Sequence, residues 1–189
     1  MTSSLRQIRG LVRLSLLTAL VTVATRVIQV PMPATEGYIN VGDAVIVAGS
    51  LLLGGMAEGL ACGVGSALAD LLGGYSHWAP FTLVIKGLEG LLVGVLARGL
   101  RVDLRRSWGL LLGGVIGALG VAWMVVGYFL VEWHLYSYAP AVASLAGNVV
   151  QAVVSLIAGL PLAAALWRSG VVHQQDSPQP GPGHSEAVR

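Results

Sequence analysis

Apolar residues fall into five long runs, Leu11 to Val30, Val41 to Leu72, Phe81 to Ala97, Trp108 to Leu130 and Ala141 to Trp167, separated by short polar or glycine-rich stretches. Runs of this length with almost no charge predict membrane-spanning helices. The second run is ambiguous. As one helix its 32 residues would extend about 48 Å, too long for a hydrocarbon core of about 30 Å, whereas two ordinary spans need about 40 residues. Gly54-Gly55 is its one obvious break.

Charge placement decides between one helix and two. Arg6, Arg9 and Arg13 precede the first run, and Arg98, Arg101, Arg105 and Arg106 follow the third. Both clusters belong on the cytoplasmic side, so an even number of crossings must separate them. A hairpin at Gly54-Gly55 supplies four crossings where a single helix gives three. The expected fold is an all-α integral membrane domain over residues 1–168, with six transmembrane helices and both termini cytoplasmic. The segments 31–40, 73–80 and 131–140 then face outward and contain no Lys or Arg. Their Tyr38, Tyr75, His77, Trp78, Trp133, His134, Tyr136 and Tyr138 suit an interfacial aromatic belt or a share in ligand binding. Residues 169–189 turn polar and rich in Pro, Gly, Gln and Ser, the composition of a disordered cytoplasmic tail.

Composition sharpens this picture. At 55% hydrophobic and 11% charged residues, with a mean hydropathy of +0.77, the chain does not read as a water-soluble domain. A net charge of +2 comes from arginines clustered between apolar runs, which positive-inside topology explains and which gives no reason to expect a nucleic-acid partner. Cys62 is the only cysteine, so no internal disulfide or cysteine metal centre can form, and it reads as a small apolar filler. The N-terminal arginines and apolar run lack a small-residue cleavage pattern and read as a retained first span. GxxxxGK[ST], HExxH and GxSxG are all absent, so neither ATP hydrolysis by this chain nor a cofactor or metal is expected.

Ionisable residues within spans are costly and ordinarily face a partner or a cavity. Asp43 opens helix 2, Asp70 closes helix 3 and Lys86, the sole lysine, lies less than two turns into helix 4, so all three fall in the outer half. Gly59, Gly63, Ser66 and Asp70 share one face of helix 3, as Ser144, Asn148, Gln151 and Ser155 do on helix 6. Helix 4 adds Thr82, Lys86 and Glu89, the last two spaced to pair at i, i+3. Internal ion pairs with helix-packing polar residues would account for such stripes. Donors and acceptors in excess of their mutual needs at one depth favour an outward-facing polar pocket. Small-residue steps, Gly113 to Gly117 in helix 5 and Ser15 to Ala19 in helix 1, permit close helix contact.

The stretches Gly37-Tyr-Ile-Asn-Val-Gly-Asp43, Gly63-Val-Gly-Ser-Ala-Leu-Ala-Asp70, Gly74-Tyr-Ser-His-Trp-Ala-Pro80 and Lys86-Gly-Leu-Glu89, with Asn148 and Gln151 in the last helix, resemble the substrate-binding S components of energy-coupling-factor (ECF) vitamin transporters. The likeness covers about residues 10–168 and points to the branch with riboflavin-type, pyridoxine-type and hydroxymethylpyrimidine-type members. It implies a vitamin-capture subunit of a bacterial cytoplasmic membrane, working with a transmembrane T component and two ATP-binding-cassette ATPases. Hydroxymethylpyrimidine or a pyridoxine-like compound is the expected cargo, with riboflavin as a further member of the class. By position, the resemblance makes Asp43, Asp70, Tyr75, His77, Trp78, Lys86, Asn148 and Gln151 the expected substrate-binding residues. It makes Ser15 and Ala19 the docking step for the T component, and leaves Glu58 outside the site. Two other functions fit the ionisable residues: a solitary proton-coupled carrier relaying protons through Asp70, Lys86 and Glu89, and a small intramembrane enzyme using carboxylates and His77 on a lipid.

Overall fold

A computed structural model describes residues 2–170; the polar tail read from residue 169 lies, from 171 onward, outside the described residues. Its elements in chain order are α1 (Thr2–Val27), β1 (Gln29–Met32), β2 (Gly37–Asn40), α2 (Gly42–Leu53), α3 (Met56–Gly73), α4 (Ala79–Gly99), α5 (Ser107–Tyr136) and α6 (Tyr138–Arg168). Among the described residues five helices are long and apolar enough to cross a membrane, and α2 is a shorter apolar helix. At its 12 residues α2 reaches only about 18 Å.

The break expected at Gly54-Gly55 is present. Gly54 has φ of 45°, a left-handed conformation open to glycine, and its N–H closes α2 on the Ser50 carbonyl before α3 starts at Met56. Two boundaries differ from the sequence reading. The segment 131–140, expected as an outer loop, is helical except at Ser137, whose φ of 88° turns α5 directly into α6. The segment 31–40 is not an irregular loop, because β1 and β2 pair antiparallel with Gln29 opposite Asn40 and Met32 opposite Gly37.

Polarity is arranged inside out relative to a water-soluble bundle. Leu11, Leu16 and Leu20 on α1, Leu111 and Leu119 on α5, and Val150 and Ile157 on α6 are exposed. Asp43, Asp70, Lys86, Glu89, Glu132, Asn148 and Gln151 are buried. Such a surface is at rest only against lipid.

Glycines set the helix spacing. A Cβ at Gly63 would stand 2.4 Å from the Leu83 carbonyl oxygen and one at Gly59 2.8 Å from the Leu91 nitrogen, so α3 and α4 touch backbone to backbone. The lower half of the α3 stripe therefore serves packing, and only Ser66 and Asp70 remain for chemistry. Across α5 and α6, Gly117 admits the Leu156 methyl at 2.8 Å from where its Cβ would be. On α1, Thr18 and Thr22 donate to the carbonyls of Ala61 and Gly65 at 3.3 and 2.8 Å, leaving Ser15 and Ala19 exposed beside that contact.

Candidate substrate site

The buried polar residues converge beneath the β1–β2 hairpin. A narrow cavity of about 20 Å³ lies there, walled by α3 (Ser66, Asp70), α4 (Thr82, Lys86), α5 (Tyr128, Glu132) and α6 (Asn148, Gln151). Tyr38 and Asn40 of the hairpin roof it, with Trp78 at the side. That volume is close to what a single water molecule needs.

Local backbone chemistry aims these groups. Gly74 ends α3 in the left-handed conformation, and the N–H groups of Gly74 and Tyr75 both return to the Asp70 carbonyl. This fixes Asp70 in the last turn and swings the Tyr75 ring onto Tyr38, with centroids 4.6 Å apart. Pro80 in the first turn of α4 fits a position where no backbone donor is needed. Lys86 then lies two turns in, on the inner face.

Among the described residues Lys86 is the largest fully buried side chain. Its ammonium pairs with Asp43 on α2, stands 3.5 Å from Glu89 and lies 5.3 Å from the centre of the Tyr128 ring. Asp43 also accepts from Gln151 Nε2 at 2.7 Å, while Gln151 Oε1 accepts from the Asn40 backbone N–H at 2.6 Å. One amide thus ties the hairpin to the ion pair below the cavity. At the other wall the Tyr38 hydroxyl donates to Asp70. Burial, with the Asp70 carboxylate beside it, raises the Tyr38 phenol above its ordinary value and keeps it a donor.

Glu132 lines the same cavity from α5. It accepts from the Ser144 hydroxyl, and Asn148 Nδ2 stands 3.4 Å from both of its oxygens. The Ser137 turn makes this possible by folding α6 straight back along α5. Three other buried groups on the cavity wall, Thr25 Oγ1, Ser66 Oγ and Trp78 Nε1, have no hydrogen-bond partner among the described residues.

Of the residues expected from sequence, Asp70, Trp78, Lys86, Asn148 and Gln151 line the cavity. Asp43 lies behind Lys86 instead of on the wall. Tyr75 stacks outside on Tyr38, and His77 is exposed, its Nε2 3.2 Å from the Tyr136 hydroxyl. Tyr38, read from sequence as belt or ligand-binding, roofs the cavity, and Tyr128 and Glu132 join the wall without having been singled out for it. For Glu132 the signal was available, as it is the one acidic residue between Asp103 and Asp176. Treating 131–140 as a loop hid it. Among the described residues no group of three or more His, Cys, Asp or Glu is placed to hold a metal.

The family model described as the ECF-type riboflavin transporter, S component, matches residues 6–168. A thiamine precursor transporter, HmpT, of Lactococcus lactis subsp. cremoris is 30% identical over 169 residues, 89% of this chain and 93% of its own length. An uncharacterized protein in the gap 3' region of Pyrococcus woesei is 45% identical over 139 residues, 74% of this chain and 88% of that protein.

Proposed function

We infer from this chain's family, the ECF-type riboflavin transporter S components, to which it belongs, that it is the substrate-binding membrane subunit for uptake of a vitamin or vitamin precursor. We further propose that the cargo is a single-ring heteroaromatic compound of the thiamine-precursor or pyridoxine kind. The observation that carries this reading is the cavity itself: buried polar atoms surround it, and Ser66 Oγ and Trp78 Nε1 lack partners there. Buried polar groups are ordinarily satisfied, and a ligand is the natural partner for the remainder. Asp70 and Glu132 accept N–H or O–H groups of the cargo, Lys86, Asn148 and Trp78 donate to its ring nitrogens or oxygens, and Tyr128 and Trp78 offer ring faces.

The cavity is smaller than any of these cargoes, and the choice of one ring over the fused three-ring system of riboflavin rests on the likeness to the thiamine precursor transporter. Even a single ring needs the roof to lift. The contacts that hold the hairpin down, Tyr38 to Asp70 and Asn40 to Gln151, use groups that a polar ligand would take over. Binding then exchanges hydrogen bonds instead of leaving buried groups bare.

Mass spectrometry of the compound released from purified, denatured protein tests the cargo directly. A single-ring pyrimidine or pyridine is expected, and Glu132→Gln should weaken its rebinding by about tenfold, the loss of one charged hydrogen bond. Recovery of riboflavin, or unchanged affinity in Glu132→Gln, would overturn the assignment.

Six crossings with cytoplasmic termini remain our proposal for topology, α2 and α3 completing a short hairpin through the Gly54-Gly55 break. A reporter fused after Ser76 should be outside and one after Asp103 inside. A cytoplasmic signal at Ser76 would sink the six-crossing count. S components work with a T component and ATPases, and uptake here should follow ATP and not the proton gradient. Membership in a family of transporter components weighs against an intramembrane enzyme.

For docking of the T component we propose the face of α1 that bears Ser15 and Ala19. Together with Leu11, Leu60, Val64 and Leu68 these residues line an open, mainly apolar groove of about 590 Å³ between α1 and α3.

A further inference from the structure

A second polar cavity, of about 280 Å³, lies where α2, α4 and α6 end, away from the roofed cavity near their beginnings. Its wall carries three arginines, Arg13, Arg98 and Arg101, against one carboxylate, Glu58, with Trp167 and Gly54 beside them. None of the three guanidiniums forms an ion pair among the described residues. Arg13 Nε is buried without a hydrogen-bond partner, and Arg98 makes only a long contact, 3.5 Å, to the Gly54 carbonyl. Arg101 is held at φ of 51°, a conformation uncommon outside glycine. Its N–H bonds to the Arg98 carbonyl, and the next N–H, of Val102, reaches back to Ala97.

The positive-inside tendency accounts for arginines at this end of the bundle. It does not account for three of them meeting around one cavity with a buried, unpaired donor. Arg98 and Arg101 are exposed at the mouth of this cavity and Arg13 is half-buried within it, and like charges gathered this way repel less once an anion joins them. Glu58 does not fill that role. Its Oε2 lies on the same side of Gly55 as Arg98 Nη1, 2.6 and 3.9 Å from where a Cβ would stand, yet it forms no ion pair with any of the three arginines among the described residues.

We propose that this cavity binds a phosphate group held by Arg13, Arg98 and Arg101. Forked guanidinium donors match phosphate oxygens, and three of them around one anion neutralise charge that the protein leaves uncompensated. At the end of the membrane-crossing helices the cavity stands at headgroup level, so an acidic phospholipid is the nearest source, and free phosphate is the other.

The test uses the full chain in a maltoside detergent, with phosphatidylglycerol and inorganic phosphate as separate probes, followed by native mass spectrometry and calorimetry. Bound phosphatidylglycerol is expected, weakened about tenfold or more by Arg98→Gln with Arg101→Gln. Glu58→Gln should tighten it, a gain that misfolding cannot produce and that decides the matter if the double variant fails to fold. Inorganic phosphate binding with the same arginine and Glu58 dependence would support the site and name the free ion as a ligand. Equal lipid affinity in wild type and both variants, with no response to inorganic phosphate, would overturn the proposal.

Discussion

Replacing Lys86 by methionine is expected to abolish measurable cargo binding and to destabilise the folded chain by about 3–5 kcal/mol, the cost of leaving a buried charge without its partner. Methionine reproduces much of the lysine stem, so packing changes little. What disappears is the only cation between Asp43 and Glu89, both fully buried. Two carboxylates would then face each other across α2 and α4, and Gln151 would be drawn toward Asp43 at the expense of the hairpin. The double variant Lys86→Met with Asp43→Asn removes one of those charges. It should recover part of the thermal stability in detergent while still failing to bind, because the donor to the cargo is gone. Glu58→Gln, far from this cavity, serves as the unaffected control for cargo affinity. Asn148→Leu, which removes a donor from the cavity wall, should weaken cargo binding as well, and calorimetry that returns wild-type affinity for both it and Lys86→Met would place the pocket elsewhere and leave the polar stripes as helix packing.

The second large effect is a separation of transport from binding. Ala19→Trp should abolish uptake in cells that supply the T component and ATPases, yet leave cargo affinity of the purified chain within about twofold, as expected of an exposed change away from the site. Ala19 is exposed on the side of α1 that makes no contact with the cavity, and an indole there would fill the groove shared with α3. Close helix approach in a membrane depends on small side chains, since lipid provides no hydrophobic drive for association. Uptake at the wild-type rate would remove this face of α1 as the docking surface.

Much of the architecture was legible because the bilayer imposes simple rules. Arginine parity called for a break within the second apolar run, and the chain does break at Gly54-Gly55, where α2 ends and α3 begins. The stripes on α4 and α6 were legible for the same reason: Lys86, Asn148 and Gln151 are too expensive in a span to lack a role. Pairings across the chain were not. The sequence reading joined Lys86 to Glu89 by spacing, whereas its closer partner is Asp43, 43 residues away on α2. Helix spacing predicts neighbours on one helix and is silent about the helix opposite. The hairpin was missed because Val30 continues the first apolar run, and Pro31 and Pro33 discourage a strand reading. Glu132 was missed because aromatic residues near a membrane surface resemble a loop when they are in fact the last turn of a helix.

The one-residue link at Ser137 makes chain length part of the recognition chemistry. Each residue of an α-helix rotates the next by about 100°. With no slack between α5 and α6, adding or removing a single position there would turn Ser144 and Asn148 away from Glu132. The hairpin turn at residues 33–36 carries a constraint of its own, because Thr35 is fully buried there beside Glu132. Roof and floor of the site are thus gauged against the same carboxylate, one through the length of a turn and the other through the absence of any.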